Sequence, residues 1–225
     1  PLPPFVNATY EEGPTSTRLI DRVLSKIDVV PVGMSAPNPP AIRRVGPPRI
    51  LWNHRWAHDK APERFVHALA RLSGEQRAFE VLLPGAVERG GRTVHRRALR
   101  SLGQRVLHHG YLGRDAYRDV LVDADIVVST ADHEFFGIGV LEAMAAGSRP
   151  VLPNRLTYPD MIPHALHPEL LYDGDLADAL RPLLQGSVED LHAHRSATVA
   201  AARRFSWGTV APTLDARLTS LRGQG

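Results

Sequence analysis

From residue 49 onward, short apolar runs alternate with stretches whose apolar residues recur every three to four positions. The runs "RILWN", "FEVLLPG", "RVLHHGYL", "DIVVST", "RPVLPN" and "LLYD" read as β-strands, and the stretches between them as helices. In "APERFVHALARL", Phe65, Val66, Leu69 and Leu72 fall on one helical face, and Pro62 suits the first turn. In "VERGGRTVHRRALRSLG", Val94, Ala98 and Leu102 repeat at four-residue spacing while the arginines point elsewhere. "RDAYRDVLVDA" predicts a further helix, leading into "DIVVST", a nearly continuous apolar strand of the kind buried on both faces. Such alternation predicts an α/β fold with a parallel sheet.

The first 48 residues have a different character. "TSTRLIDRVLSKIDVVPVGM" has room for one helix and one strand, and the Pro-rich "SAPNPPAIRRVGPP" reads as a stiff connector. Residues 1–48 are therefore expected to be the tail of something upstream plus a hinge, and residues 49–225 the main domain. At the far end, "SVEDLHAHRSATVAAARRF" and "WGTVAPTLDARLTSL" predict two helices, with Pro212 a kink or first-turn residue.

Composition narrows the class. The 225 residues are 43% hydrophobic and 23% charged, as in an ordinary soluble protein, and no apolar run approaches the roughly 18 to 20 residues that cross a bilayer. The N-terminus lacks an initiator Met, a basic region and an apolar core, so it reads as a cut and not as a signal peptide. Without cysteine there is no disulfide or thiolate metal site, and the cytoplasm is the default expectation. The net charge is +3, with Lys26 and Lys60 the only lysines. Such arginine and alanine usage suggests a GC-rich bacterial genome.

The chemistry concentrates in "HEFFGIGVLEAMAAGSRPV". Glu134 and Glu142 flank a glycine turn that runs into an apolar helix, where an unpaired carboxylate would be costly. In an open parallel sheet, ligands bind beyond the carboxyl ends of the strands. A helix starting near Gly137 or Ile138 presents backbone N–H groups to an anion such as a diphosphate, with Gly137 and Gly139 permitting close approach. Glu142 would lie roughly 7 Å further along the helix axis. A nucleotide sugar laid across this turn would bring its sugar to one glutamate and its ribose to the other. Arg55 and Lys60, in the loop after the first strand, supply two cations for the diphosphate.

With these residues in view, "HEFFGIGVLEAMAAGSRPV" resembles the E-x7-E signature of retaining GT-B glycosyltransferases, in particular glycosyltransferase family 4. The step from Arg55 to Lys60, Gly85 in "VLLPGA", Gly110 and Tyr111 in "HHGYL" and the late "FSW" fall in that family's order over roughly residues 49 to 222. A narrower resemblance, carried by "ILWNHRWAHDKAPERF", "STADHEFFGIGVLEA" and "PNRLTYPDMIP", is to the tRNA-queuosine mannosyltransferase group and its bacterial relatives.

The resemblance implies the C-terminal, Rossmann-like half of a GT-B fold and an enzyme that moves a hexosyl unit from a nucleotide diphosphate sugar to an acceptor hydroxyl without a metal. Arg55 and Lys60 would hold the diphosphate, Glu134 the transferred sugar and Glu142 the ribose. Phe136, Gly137 and Ile138 would offer backbone groups to the phosphates, His133 would wall the sugar pocket, Gly85 would belong to the donor site, and Gly110 and Tyr111 would lie near the base. The narrower group implies GDP-mannose, with a UDP-sugar as the other donor class, and tRNA as acceptor. An N-terminal acceptor domain is expected upstream, with "FVNATYEEGPTSTRLIDRVL" as its last elements.

Other readings stand beside this one. A sugar-nucleotide-binding module without catalysis of its own and an RNA-binding protein are both compatible with the motifs. The arginines of "VERGGRTVHRRALRSLG" are more simply a solvated helix face, since no aromatic platform is interleaved with them. His54, His58, His108, His109 and His133 match no closed zinc pattern. "GAVERGG" is a poor substitute for a dinucleotide fingerprint, and "HRWAHDK" after the first strand contains no glycine. Trp56, Phe135 and Phe136 are candidates for either base stacking or packing, and Tyr158 is equally ambiguous. Pro159 and Asp160 are expected to start a short helix near the sugar end.

Overall fold

The computed structural model describes residues 20–24, 27, 29–41 and 46–222. The chain divides into two compact units, Pro1–Pro31 and Val32–Gly225. In the first unit, residues 20–24 are helical, and the Ile27 N–H donates to the Leu24 carbonyl. Most of "FVNATYEEGPTSTRLIDRVL" lies outside the described residues. The strand anticipated before the Pro-rich stretch reduces to a single parallel bridge between Met34 and Ser206.

The second unit is built on six parallel strands: β1 (Arg49–Leu51), β2 (Glu80–Leu83), β3 (Val106–His109), β4 (Ile126–Val128), β5 (Arg149–Pro153) and β6 (Leu171–Tyr172). Their order in the sheet is β3-β2-β1-β4-β5-β6. All six apolar runs became strands, each shorter than the run that announced it. The run ends instead turn outward into the loops.

Among the described residues of this unit, ten α-helices accompany the strands: α1 (Pro62–Gly74), α2 (Arg92–Leu102), α3 (Arg114–Asp123), α4 (Ile138–Ala145), α5 (Tyr158–Met161), α6 (His167–Leu170), α7 (Leu176–Leu180), α8 (Val188–Leu191), α9 (Arg195–Arg203) and α10 (Trp207–Arg222). Two apolar layers sandwich the sheet. Phe65, Leu69 and Leu72 of α1 join Ala98 and Leu102 of α2 and Leu180 of α7 on one face. Leu121 of α3, Val140, Leu141 and Met144 of α4 and Ala202 of α9 pack on the other. Alternate strand residues feed the two layers, Ile126 and Val128 one and Val127 the other, so β4 is apolar throughout. Among the described residues no helix is long and apolar enough to cross a membrane.

Residues 32–41 are tied to the C-terminal helices. The Met34 N–H donates to the Phe205 carbonyl, the Trp207 N–H to Met34, and the guanidinium of Arg203 to Asn38. The single helix expected over 187–205 is two. A reciprocal Ser187–Asp190 capping box starts α8, and the chain leaves helical geometry at His192 and His194 before α9. His194 pairs there with Glu169, a contact between distant segments that no local pattern announces. Pro212 lies within α10 and not at its start.

Gly85, just past β2, shows how closely the loops pack. A Cβ there would stand 1.9 Å from the His54 carbonyl oxygen, a backbone atom that cannot step aside. Gly85→Ala is therefore expected to cost about 2 kcal/mol through forced separation of the β1 and β2 loops. A denaturant midpoint equal to that of the wild-type protein would disprove this.

Candidate functional site

The chain runs from β1 outward to β2 and β3, then returns to the other side of β1 for β4, β5 and β6. The loops after β1 and β4 consequently part at this point, which is where open α/β sheets form their ligand crevice. Here the two loops are laced together. Trp52 Nε1 donates to Thr130 Oγ1 (3.2 Å), and that hydroxyl donates to the Lys60 carbonyl (2.8 Å). The N–H groups of Asp132 and His133 both donate to the Asp59 carbonyl, at 2.9 and 3.2 Å. Arg155, after β5, adds bonds to the carbonyls of Thr130 and Ala131 and an ion pair to Asp132.

Within this frame the Lys60 ammonium is buried. It donates to the His133 carbonyl (2.5 Å) and to Glu134 Oε2 (3.2 Å), with Asp59 Oδ2 at 3.3 Å. Glu134 Oε1 accepts the N–H groups of Phe135 and Gly137, both at 3.1 Å. Gly137 has φ 75°, a left-handed conformation that suits glycine and turns the loop into α4. The N–H groups of Phe136, Ile138 and Gly139 are left without an acceptor among the described residues.

The electrostatics follow from these contacts. Burial works to raise the Glu134 carboxyl, but the charge and hydrogen bond of Lys60, helped by His54 and the Gly137 N–H, bring it below its ordinary value. Asp59 behaves likewise, its burial outweighed by Lys60 and Arg55. Burial drives the His54 imidazole down to about 4, so it is neutral at pH 7, and its Nε2 has no hydrogen-bond partner.

A cavity of about 800 Å³ opens on the β2 and β3 side of this frame, lined by Asn53, Arg55, Gly85, Tyr111, Tyr117 and Glu142 among others. Asn53 Nδ2 donates to Tyr117 Oη (2.9 Å) and to the Gly139 carbonyl (2.8 Å), and the Tyr117 hydroxyl donates to Glu142 Oε2 (3.3 Å). Glu142 differs from Glu134 in kind. Burial raises its carboxyl above the ordinary value, only partly offset by Tyr117 and the Arg114 charge. Burial, with the Glu142 charge next, also raises the Tyr117 hydroxyl.

The residues singled out in the sequence thus fall into two groups. Arg55, Gly85, Tyr111 and Glu142 share the cavity, while Lys60, Glu134, Gly137 and the His133 carbonyl form the laced turn beside it. Neither expected cation is free: Lys60 is held by carboxylates, and Arg55 pairs with Glu88 and lies 3.6 Å from Asp59. The identity of Gly85 is accounted for by its contact with the His54 backbone. Gly110, with φ 92°, precedes an exposed Tyr111. The Phe136 ring packs edge-on to Phe205.

Trp56 and Tyr158 are core residues, the latter hydrogen-bonded to Ser129 at 2.6 Å, whereas Phe135 is 95% exposed. Sequence reasoning missed Asn53, Asp59, Tyr117 and Arg155. Asn53 and Asp59 stood within the quoted loop after β1, but nothing in the local pattern marks Tyr117 or Arg155.

One surface near the cavity is strongly charged. Residues 89–114 contain seven arginines and no Asp or Glu. Arg92, Arg96, Arg97 and Arg100 of α2, and Arg89 before it, are exposed and form no ion pair or hydrogen bond among the described residues. The start of α2 abuts the Arg55 loop: Trp56 pairs with Val87, and its ring meets His95 at 4.8 Å. Around α1 and α7 arginines are neutralised, as where Arg181 and Arg71 meet Glu75, Asp175 and Asp178.

Comparison with known proteins agrees with this architecture. Residues 39–204 match the family described as "Glycosyl transferases group 1". The tRNA-queuosine alpha-mannosyltransferase of Drosophila melanogaster is 40% identical over 114 residues, which is 51% of this chain and 30% of that protein. Sucrose-phosphate synthase from Thermosynechococcus elongatus has the same fold, with a TM-score of 0.69 at 21% identity over 95% of this chain and 58% of its own. So has HepE of Anabaena, solved with UDP and glucose, with a TM-score of 0.63 at 16% identity over 94% and 54%. The chain thus spans less than two thirds of these relatives. With the family match covering most of its length, and the six-stranded parallel sheet of a GT-B half around the laced turn, the chain belongs to the group 1 glycosyl transferases.

Proposed function

We propose that the chain is the donor-binding portion of a retaining glycosyltransferase, which moves a hexosyl unit from a nucleotide diphosphate sugar to an acceptor hydroxyl. The observation that carries this reading is the pairing at the strand switch: a carboxylate and an ammonium beside a helix start with unsatisfied N–H groups, next to a cavity with a second carboxylate. The diphosphate takes the N–H groups of Phe136, Ile138 and Gly139, with Lys60 and Arg55 as its counter-charges. Glu134 meets the sugar hydroxyls, and His133 borders that pocket. Glu142 accepts from the ribose. Tyr111 and the backbone at Gly110 lie at the base end.

In this mechanism the bond from the sugar anomeric carbon to the diphosphate breaks as the acceptor oxygen attacks from the same face. The acceptor proton passes to an oxygen of the departing diphosphate. No metal is needed, because Lys60 and Arg55 neutralise the leaving group. Arg55 must first exchange Glu88 for phosphate, which a doubly charged ligand favours over a half-exposed carboxylate. Such chemistry fits a cytoplasmic enzyme. Closure against an upstream acceptor domain would exclude water and orient the acceptor.

The Drosophila relative points to mannose, and so to GDP-mannose ahead of UDP-sugars, and to tRNA as acceptor. The unpaired arginines of α2 favour the same acceptor class, since each can meet a backbone phosphate. If so, the chain binds RNA with an affinity that falls about linearly in log–log plots against salt. Changing Arg92, Arg96 and Arg100 together to Gln should reduce that slope by roughly two to three units, as read by fluorescence anisotropy with an unmodified tRNA. An unchanged slope would remove α2 from the RNA surface.

Donor binding is tested by thermal shift with GDP, UDP, ADP and their sugar derivatives. At about 100 times its dissociation constant, the correct nucleotide should stabilise by roughly 2.7 kcal/mol, or about 5 to 10 °C. Glu142→Ala should abolish most of the shift. The absence of any shift would contradict the donor reading.

Lys60→Met should act twice. In an enzyme containing this domain, kcat should fall roughly 100-fold or more with a smaller effect on donor affinity. The fold should also lose about 2 kcal/mol, because Glu134 and Asp59 lose their buried counter-charge. Glu134 stabilises the wild-type protein fully above its unfolded pKa of about 4.3, and this contribution fades as pH falls through the lower folded value. Urea midpoints between pH 7 and pH 3 should decline less steeply for Lys60→Met, and parallel curves would refute the pairing.

A further inference from the structure

Glu142 enters the cavity wall with one carboxylate oxygen engaged and the other open. Oε2 accepts from Tyr117, while Oε1 has no partner among the described residues and is not among the sealed, unpartnered atoms of the site. The direction of the bonds behind this is set by elementary chemistry. The Gly139 carbonyl can only accept, so it is the nitrogen of the Asn53 amide that faces it at 2.8 Å. The second hydrogen of that nitrogen goes to Tyr117 Oη, whose own hydrogen is then left for Glu142. Three elements are joined in this order: the end of β1 through Asn53, α3 through Tyr117, and α4 through Glu142.

We propose that Tyr117 is the positioning residue for the ribose of the bound nucleotide: anchored by Asn53, its hydroxyl holds one oxygen of Glu142 and leaves the other aimed at the ribose hydroxyls. This rests on the reading of Glu142 as the ribose acceptor. A glutamate on a helix has three rotatable bonds, and without a fixed donor its carboxylate would spread over several rotamers. The charge of Arg114, which lines the same cavity and is the other favourable influence on the carboxylate, would compete for it. The hydroxyl of Tyr117 opposes that drift. A phenylalanine would fill the same half-buried space without doing so.

The test measures calorimetric affinities of GDP, UDP and ADP and their 2′,3′-dideoxy counterparts for the wild-type chain, Tyr117→Phe and Glu142→Gln. The wild-type chain should prefer the ribose form of its nucleotide by roughly tenfold or more, as expected for hydrogen bonds to a charged group. Tyr117→Phe should lose roughly tenfold for the ribose form while binding the dideoxy form unchanged, so that the preference collapses. The double variant should be no worse than Glu142→Gln alone, because the two side chains act as one unit. If Tyr117→Phe does not fold, Asn53→Ser, which unties Tyr117 but keeps its hydroxyl, should give the same collapse.

Full retention of the ribose preference in the folded variant would overturn the proposal, as would equal weakening of both nucleotide forms, which marks a merely structural role. A wild-type chain that binds nucleotides but ignores the ribose hydroxyls would overturn the ribose reading of Glu142, and the proposal with it. Binding of none of the six nucleotides would overturn the donor site itself.

Discussion

A single ammonium group organises this site. Lys60 is buried between the Asp59 and Glu134 carboxylates and the His133 carbonyl, at the seam where the loops after β1 and β4 meet. Desolvating charges is costly, and it is tolerable here because both Glu134 oxygens find donors, Asp59 stays partly exposed and the ammonium finds three acceptors. The backbone bonds from Asp132 and His133 to Asp59 bring the partners into reach, and Thr130 closes on the Lys60 carbonyl. The left-handed turn at Gly137 and the start of α4 are positioned through Glu134, which accepts two N–H groups of that turn. Remove the ammonium, and the same loops would hold like charges together.

The two glutamates of the signature illustrate how neighbours, not residue type, decide chemistry. Glu134 accepts three hydrogen bonds and is kept ionised by a cation and two backbone donors. Glu142 has one hydroxyl donor and the charge of Arg114, and burial holds its carboxyl above the ordinary range. The first is built into the protein, and a sugar reaching it would meet a preorganised acceptor. The second has spare hydrogen-bonding capacity, which suits a ligand that brings its own hydroxyls. The eight-residue interval therefore joins two carboxylates of opposite electrostatic character along one turn and helix.

The arginines divide in a comparable way. Those around α1 and α7 are knitted into carboxylate clusters that satisfy the surface locally. Those of α2 face outward with no acidic neighbour in sequence from residue 89 to 114. A GC-rich codon bias would account for a basic residue being arginine. It does not explain why compensating acids are missing from residues 89–114, and a polyanionic partner would meet that imbalance.

The fold was largely legible in the amino-acid sequence, because burial on both sheet faces forces continuous apolar runs and burial on one helix face forces a three-to-four-residue period. Six strands, α1 to α4, the helix start at Gly137 and the eight-residue spacing of Glu134 and Glu142 all followed from such local patterns and their family resemblance. What the sequence could not determine were contacts between residues far apart in the chain. Lys60 and Glu134 are 74 positions apart, Asn53 and Tyr117 64 positions, and their hydrogen bonds exist only because β4 returns to the side of β1 opposite β2. The pairing of Arg55 with Glu88, the break between α8 and α9 and the core placement of Trp56 belong to the same class. Local periodicity reports which face of an element is buried, but only the strand order decides which polar groups share that burial.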